Sequence, residues 1–368
     1  MATNSAPAGN PVPANDRPTD SPPPPTSPPA GSPPAALEAT PIQQDYSYDD
    51  TNVDDEGIDS TSIDSSTASL TESVYAYRKL HGRPYKKTST TEYWAPVDET
   101  QNEGLDIIHN VLLMALDNKL FEAPLNNDPG EVLDVGTGTG IWAIDFADQH
   151  PMAVVTGTDI SPIQPTWVPP NCRFVIEDCL LEWTWPLAHF DYVHLRCLYG
   201  SIPDWEELYT KAFRHLKPGG WLEDMEMDLK IQSDHVSIPD DHVFNKWAEL
   251  FYTAGDRIGR SFRIANHHTM RDLMIKVGFV DVTERMIKVP LHGWPEDPHQ
   301  KQMGLLGQLG LDQSLDGFGT FMLTQIHGWE PAEAVVFINA MRKQSRRASY
   351  KPWYWSTVVY GRKPLDTA

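Results

Sequence analysis

The chain has 368 residues and a formal net charge of −22, from 29 Lys and Arg against 51 Asp and Glu. This acidity, with no Lys/Arg-rich run, disfavours tight binding to nucleic acid, whose phosphates require clustered cations. No apolar run reaches the length of a membrane span, and the first residues lack the basic-then-apolar order of a signal peptide. The three cysteines have no metal-ligand spacing and are typical of a reduced intracellular compartment, so no metal site is predicted.

The first 72 residues differ in composition from the rest of the chain. Thirteen of the first 41 are proline, and the segment up to Glu72 contains twelve carboxylates against the single base Arg17. Such a segment buries too little apolar surface to offset the entropy that is lost on ordering it. Residues 1–72 are therefore predicted to be a disordered tail, Pro-rich and then acidic. A docking or phosphorylation segment is the alternative.

Residues 73–128 are predicted to form an N-terminal lid and a helix. The stretch from Tyr75 to Tyr93 is basic and irregular, and it indicates no particular element. The segment Glu103–Leu120 places its aliphatic residues near helical spacing, with acids at its start, which predicts an amphipathic helix.

Strand and helix patterns alternate through a core predicted at residues 129–289. This alternation predicts right-handed βαβ crossovers around a parallel sheet. A helical cap insertion is predicted at 290–350, and the final strand and C-terminus at 351–368. The predicted strands are Val132–Val135, Ala153–Thr158, Arg173–Ile176, Tyr192–Leu195, Trp221–Met227, Val280–Val289 and Tyr354–Tyr360. The predicted helices are Trp142–Gln149, Asp204–Leu216, Val243–Ala254, Met270–Val277, Gln300–Leu309 and Pro331–Arg342.

The first core strand ends in a glycine-rich turn, EVLDVGTGTG, from Glu131 to Gly140. Glycine at 136, 138 and 140 permits a tight strand-to-helix turn with no Cβ facing a ligand. The free N–H groups of the following helix add a polar platform. A dinucleotide fingerprint requires glycine at position 141, which is Ile141. The pattern therefore favours S-adenosylmethionine (SAM), which has no pyrophosphate.

Residues at the ends of the later strands support this interpretation. Asp159 ends the second strand, where an acid can accept both ribose hydroxyls, and Asp178 follows the third strand, where it could accept the adenine amino group. A turn-capping role is the alternative for each acid. Arg196 ends the fourth strand, at the crevice where the strand order reverses and ligands of open α/β sheets bind. The phrase Lys217-Pro218-Gly219-Gly220 is predicted to end a helix and turn the chain into the fifth strand.

On these residues and on phrases outside the glycine turn, the chain from about Tyr75 to Pro364 resembles the LaeA-like family of fungal methyltransferases. That family includes the velvet-complex regulator of secondary metabolism and many enzymes of biosynthetic clusters. The segment 196–205 differs among family members, so the identity of the substrate does not transfer. The matching phrases are HGRPY (81–85), LDIIH (105–109), DNKL (117–120), AP (123–124), GTGTGIWAI (136–144), DISPIQP (159–165), LKPGGW (216–221), ANHHTMRDLMIKVG (265–278) and VVYGRKP (358–364).

The resemblance implies a class I methyltransferase fold. This is an α/β, Rossmann-like seven-stranded sheet of order 3-2-1-4-5-7-6, with a helical N-terminal lid and a helical insertion before the last strand. Tyr85, Tyr93, Asp106 and His109 are the residues that could fold over the SAM pocket. The expected cofactor-binding residues are Asp134, Gly136, Thr137, Gly138, Gly140, Asp159, Ile160, Gln164, Asp178, Cys179 and Arg196.

No catalytic residue is assigned. Methyl transfer from SAM needs chiefly positioning in a water-poor pocket, because the sulfonium is already a strong electrophile. A general base helps when the acceptor is a hydroxyl or an ammonium, whereas a carboxylate needs none. The candidates are His109, His194 and Arg196, with His267, Glu223 and Glu226 as further candidate bases, and packing roles are the alternative for the histidines.

Two functions remain open from the sequence. The first is a SAM-dependent methyltransferase, of the EC 2.1.1 class, that acts on a small organic molecule in fungal secondary metabolism. The second is a SAM-binding regulator of secondary-metabolism gene expression that acts through protein partners. Neither nucleic acid nor membrane is an expected partner. The expected location is the cytoplasm or the nucleus, since the cluster RKQSRR (342–347) is either a weak import signal or the solvated end of a helix.

Overall fold

A computed structural model describes residues 77–126 and 129–365 of the chain. The predicted disordered tail, residues 1–72, lies outside them. The strands are β1 (Tyr77–Leu80), β2 (Arg83–Lys87), β3 (Glu92–Pro96), β4 (Glu131–Val135), β5 (Val154–Asp159), β6 (Cys172–Ile176), β7 (Phe190–Arg196), β8 (Leu216–Met227), β9 (Val280–Pro290) and β10 (Trp353–Arg362). The α-helices are α1 (Glu99–Ala115), α2 (Ile141–Gln149), α3 (Trp205–His215), α4 (Val243–Ile258), α5 (Thr269–Val277), α6 (Pro298–Phe321) and α7 (Pro331–Ser345).

Seven strands form one sheet in the order β6-β5-β4-β7-β8-β10-β9. Counted from β4 as the first strand, this order is 3-2-1-4-5-7-6, which confirms the predicted topology. Strands β4 to β8 are parallel, and β10 is antiparallel to both of its neighbours. Val132, Leu133 and Val135 of β4 are at most 1% exposed, as expected for a parallel strand that is covered on both faces.

The N-terminal segment is not only helical, because it begins with a three-stranded antiparallel sheet, β1-β2-β3. These strands have four or five residues, and in β1 and β2 basic residues interrupt the alternation that identifies a strand. Asp98 joins the sheet to α1: it accepts the Gln101 N–H at 3.0 Å and two N–H groups of Arg83 at 2.6 Å. This cap explains why α1 begins at Glu99, before the predicted start at Glu103.

The helix α1 also ends earlier than predicted, at Ala115 and not at Leu120. Asp117 and Asn118 have φ of 55° and 63°. This left-handed conformation cannot continue an α-helix. The apolar residues after Ala115 therefore pack from a turn and not from a helix.

The insertion before β10 contains α6, a π-helical turn at Met322–Ile326 and α7. Helix α6 has 24 residues and extends well past the predicted Gln300–Leu309. Its glycines lower helix propensity, but they let α6 pack closely on α1. A Cβ at Gly310 would lie 3.2 Å from Ile107, and a Cβ at Gly317 would lie 2.0 Å from Gln101 Oε1.

The phrase at residues 217–220 lies inside β8 and does not precede it, so its predicted position was wrong. Helix α3 ends at His215, and β8 begins at once with Leu216. The register of β8 against β7 shifts before Trp221. The glycines therefore form an irregular stretch of the strand.

The basic cluster at residues 342–347 lies at the end of α7 and in the turn after it. Arg342 pairs with Asp316 of α6 at 2.6 Å, and Arg346 pairs with Asp312 at 3.0 Å. These pairs agree with the helix-end alternative. Within the described ranges, no helix is long and apolar enough to cross a membrane.

The division of the chain into lid, core, insertion and last strand, at residues 128, 289 and 350, remains a proposal. The first boundary falls before β4. The second falls one residue before the end of β9, and the third falls at the end of a 3₁₀ turn, Ala348–Tyr350.

Candidate functional site

A cavity of about 150 Å³ lies at the carboxyl ends of β4, β5, β6 and β7. Strands β4 and β7 lie side by side in the sheet, although β5 and β6 come between them in the chain. The strand order therefore reverses here, and open α/β sheets bind their ligands at such a reversal. The opposite wall comes from β3, the turn after it and α1. This wall contributes Tyr93, Pro96, Val97, Asn102, Leu105, Ile108, His109 and Leu112.

The glycine turn after β4 is held in shape by Asp159, at the end of β5. Gly136, Gly138 and Gly140 have φ of 70°, 58° and 82°, a region that glycine occupies at little cost. One oxygen of Asp159 accepts the Gly138 N–H at 2.9 Å, and the other accepts the Ser161 N–H at 2.8 Å. A Cβ at Gly138 would meet no protein atom within 4 Å, so the middle of the turn faces open space in the cavity.

Nine of the eleven predicted cofactor-binding residues lie in the cavity wall, and two lie behind it. Gly140 is the N-cap residue of α2, and a Cβ there would come within 2.3 Å of the Phe174 ring, so this glycine makes room for packing. Gln164 donates its side-chain N–H to the carbonyl oxygens of Gly138 at 2.7 Å and Ser161 at 2.9 Å, which braces the turn from outside. The nine are Asp134, Gly136, Thr137, Gly138, Asp159, Ile160, Asp178, Cys179 and Arg196.

His194, a candidate base, is tied to the end of β4. Its Nδ1 lies 2.7 Å from Asp134 Oδ1, and the other oxygen of Asp134 accepts the Thr137 hydroxyl at 2.5 Å. Its ring stacks on Trp142 with the centroids 3.7 Å apart. Burial lowers the pKa of His194, so the ring is neutral at pH 7 and donates from Nδ1 to the carboxylate. The His194 side chain is 2% exposed, which favours a packing role.

His109, the candidate base on α1, lies between Arg196 and Asp145. A guanidinium has no acceptor, so Arg196 donates to His109 Nδ1 at 2.9 Å, and His109 Nε2 donates to Asp145 at 3.0 Å. Burial is the main cause that lowers the pKa of His109. The ring is therefore neutral, and its lone pair is occupied by Arg196. In this arrangement His109 positions Arg196 in the wall and has no free lone pair to accept a proton.

Asp178 is connected to the loop between β2 and β3. The hydroxyls of Thr88, at 3.1 Å, and Thr90 both donate to Asp178 Oδ2. Arg260 fastens the same loop, because it donates to the Thr90 carbonyl at 2.7 Å and to the Ser201 carbonyl. The N-terminal sheet is thus bonded to the wall at the residue that we predicted to meet the adenine.

The four residues predicted to fold over the pocket are divided by the structure. Tyr93 and His109 lie in the cavity wall. Asp106 lies outside the wall and accepts a hydrogen bond from the hydroxyl of Thr139, in the glycine turn, at 2.6 Å. Tyr85 lies elsewhere, fully buried against Phe321 with ring centroids 5.9 Å apart.

The other candidate bases lie outside the cavity wall. Glu223 is buried and accepts the N–H of Ala123 at 2.6 Å, and Glu226 accepts the N–H of Leu198 at 2.7 Å. His267 is exposed. These positions favour structural roles for the two buried glutamates.

Three wall residues that the sequence did not indicate have unpaired polar atoms. Asn102 Oδ1, Ser161 Oγ and Glu177 Oε1 are buried atoms of the wall that have no hydrogen-bond partner. An unpaired buried polar atom costs about 1–3 kcal/mol, so three together indicate a polar ligand. Glu177 and Ser161 adjoin predicted residues and could have been found by proximity. Asn102 gave no signal, because only the fold brings α1 to the strand ends.

Comparison with known proteins decides the family. A family model described as "Methyltransferase domain" matches residues 107–284. Methyltransferase pytC of Aspergillus terreus is 35% identical over 301 residues, which cover 81% of this chain and 92% of that protein. Secondary metabolism regulator LAE1 of Cochliobolus heterostrophus is 40% identical over 256 residues, 68% of this chain and 82% of that protein. Secondary metabolism regulator laeA of Gibberella zeae is 33% identical, over 77% and 91%.

The chain belongs to the LaeA-like methyltransferase family. Membership confirms the predicted cofactor, SAM, and the polar groups of the cavity wall suit it. SAM carries amino, carboxylate and hydroxyl groups, and the wall offers unpaired polar atoms of Asn102, Ser161 and Glu177 together with the carboxylate of Asp159. In the part of the chain that the structure describes, no cluster of His, Cys, Asp or Glu could hold a metal ion.

Proposed function

We propose that this LaeA-like methyltransferase transfers the SAM methyl group to a small organic molecule. The observation that carries the proposal is the closure of the cavity on its N-terminal side. Helix α1 supplies one wall, and the β2–β3 loop is bonded to Asp178 through Thr88 and Thr90. A side chain presented by the surface of a folded protein would have to displace this cover, whereas a small molecule would not.

Within the proposal, the polar wall residues hold SAM. Each oxygen of Asp159 accepts a backbone N–H and keeps a further lone pair for a ribose hydroxyl. Asp178 takes the adenine amino group. Asn102 and Glu177 offer their unpaired oxygens to the remaining donors of the cofactor. The open space at Gly138 accommodates the part of SAM that passes the glycine turn.

The chemistry that the chain adds is positioning and exclusion of water. Bound SAM supplies an electrophilic methyl group. The cavity wall is largely apolar on the side of α1, where Leu105, Ile108 and Leu112 lie, and a dry pocket strengthens the electrostatic contacts inside it. Arg196 occupies the His109 lone pair, and His194 is buried. Neither histidine therefore acts as the base, and the acceptor is one that needs no proton removed by them.

A second candidate function is a SAM-binding regulator that acts through protein partners. It is favoured by relatives whose names describe regulators of secondary metabolism, in Cochliobolus heterostrophus and Gibberella zeae. A cytoplasmic or nuclear location suits both candidates and remains a prediction.

Labelled methyl transfer distinguishes the two functions. The full chain would be incubated with [methyl-14C]SAM in two separate reactions. One contains a metabolite extract of its source organism, and the other contains a protein extract. We expect label in the small-molecule fraction, and much less label at a limiting SAM concentration when Asp159→Ala replaces the wild type. Label confined to protein would favour the regulator, and no label in either fraction would contradict the enzymatic function.

A further inference from the structure

A second cavity of about 80 Å³ lies beside the first, at the end of β8. It is lined by residues from α4, α6, α7 and β10 together with α1 and the segment that follows β7. Its wall is mainly aliphatic, aromatic and thioether, and includes Tyr199, Met227, Trp247, Leu311, Phe318 and Met341. Such walls bind apolar molecules.

The two cavities adjoin at one stretch of α1. Ile108 lies in both walls, while His109 and Leu112 line only the first cavity and Val111 lines only the second. Strand order gives the same relation, since the first cavity reaches the end of β7 at Arg196 and the second lies at its neighbour β8. An acceptor whose apolar part lies in the second cavity would therefore be next to the cofactor cavity.

Glu226 fixes the other element that the two cavities share. Its carboxyl group accepts the N–H of Leu198 at 2.7 Å and of Tyr199 at 3.1 Å. Leu198 lines the first cavity and Tyr199 lines the second. A buried side chain thus sets the position of two adjacent residues that face different cavities.

Charge limits what the second cavity can accept. Asp228 is the charged residue of its wall, and no Lys, Arg or His of the described chain joins it there. Asp228 is already bonded to the Tyr252 hydroxyl and to the Lys230 N–H, at 3.0 Å for the latter. An anion would meet a carboxylate without a compensating cation, whereas an uncharged apolar group would bury its surface favourably.

We propose that the second cavity binds the uncharged apolar part of the methyl acceptor, a group about as large as one aromatic ring or a short alkyl chain. This inference rests on the proposed function, because it assigns the acceptor of the same reaction. It names a class of substrate: a molecule with a small, uncharged apolar end that enters the cavity beside Ile108.

Fluorobenzene is a suitable probe, and its binding to the full chain can be followed by 19F NMR. We expect wild-type protein to broaden the signal and 4-fluorobenzoate to bind at least tenfold more weakly. Leu311→Trp fills the cavity and should weaken fluorobenzene binding at least tenfold. Leu309 lies on the same helix and is 51% exposed. Leu309→Trp is therefore the matched control and should bind fluorobenzene like wild type. Met341→Phe replaces Leu311→Trp if that variant does not fold.

The position of the cavity is tested without any variant. With [methyl-13C]SAM bound to the wild type, an isotope-filtered NOE is expected between the SAM methyl protons and the ring protons of fluorobenzene. Fluorobenzene binding without this NOE, no binding at all, equal binding of 4-fluorobenzoate, or equal loss in Leu309→Trp would overturn the proposal. Failure of SAM itself to bind, measured by calorimetry, would instead count against the proposed function.

Discussion

Asp159 lies at the end of β5 with each carboxylate oxygen bonded to a backbone N–H, those of Gly138 and Ser161. Burial raises the pKa of this carboxyl group to about 6, although the two N–H groups favour its ionised form. The charge that we propose to bind the ribose hydroxyls is therefore lost in mildly acidic solution. Asp159 gives the cofactor site a dependence on pH that an exposed carboxylate would not give.

The affinity for SAM should accordingly fall as the pH decreases through about 6. At pH 5 only about a tenth of Asp159 is ionised, so binding should be roughly tenfold weaker than at pH 7.5 if the ionised form is required. Isothermal titration calorimetry at the two pH values measures the change. Asp159→Asn is the control and should bind more weakly at pH 7.5 but show a smaller drop. The same tenfold drop in both proteins would contradict the role of Asp159.

The positions of the acids and glycines at the strand ends could be predicted from the sequence. Their hydrogen-bond partners could not. Asp159, Asp178 and the glycine turn follow strands at spacings that the motif defines. Asn102 and the Arg196–His109 contact depend on α1 lying across the strand ends, which no local pattern records. The motif also cannot separate Gly138, which faces the cavity, from Gly140, which packs against Phe174.

Among the elements, β8 is unusual because it buries three consecutive or near-consecutive acids, Glu223, Asp224 and Glu226, each at most 1% exposed. Burial raises the pKa of Glu223 to about 8 and that of Asp224 to about 7, and it also raises the pKa of Glu226. Glu223 and Glu226 accept backbone N–H groups from the segments before β4 and after β7. The strand therefore anchors the chain on both sides of the cofactor cavity.

The stability of the fold should fall as the pH rises from 7 to 8. Glu223 binds its proton more tightly in the folded chain, with a pKa of about 8, than in the unfolded chain, so its favourable contribution at low pH is lost as the pH rises towards 8. Urea unfolding should show a loss that is about 1 kcal/mol larger in wild type than in Glu223→Gln over this interval. Equal losses in the two proteins would show that Glu223 is already ionised at pH 7.

Element types were easier to predict than their lengths. Strands β4 and β7 are rich in apolar residues and end at turns, so their positions follow from hydrophobicity. Helix α6 was predicted far too short, because glycines that weaken an isolated helix are here the residues that allow contact with α1. The short strands β1 and β2 carry basic side chains, and β1 to β3 gain their stability from packing, which their own sequence does not reveal.

At the scale of the whole molecule, the N-terminal segment and the insertion form one cover over the sheet. Trp94 of β3 is 4% exposed and contacts Phe318 of α6 and Phe251 of α4, with ring centroids 5.3 and 6.1 Å apart. It also contacts Tyr199, which follows β7. One aromatic residue thus joins the N-terminal sheet, the insertion and the segment between the two cavities, which explains how parts distant in sequence can enclose one site.

The central claim, that this family member binds SAM in the cavity at the ends of β4 to β7, is tested most directly by calorimetric titration with SAM at pH 7.5. Wild type should bind, and Asp159→Ala should bind about 5- to 100-fold more weakly, which is the loss of one or two charge-assisted hydrogen bonds. Asp148→Ala, at an exposed position of α2, should match wild type. No binding by wild type, or unchanged affinity in a folded Asp159→Ala protein, would contradict the claim.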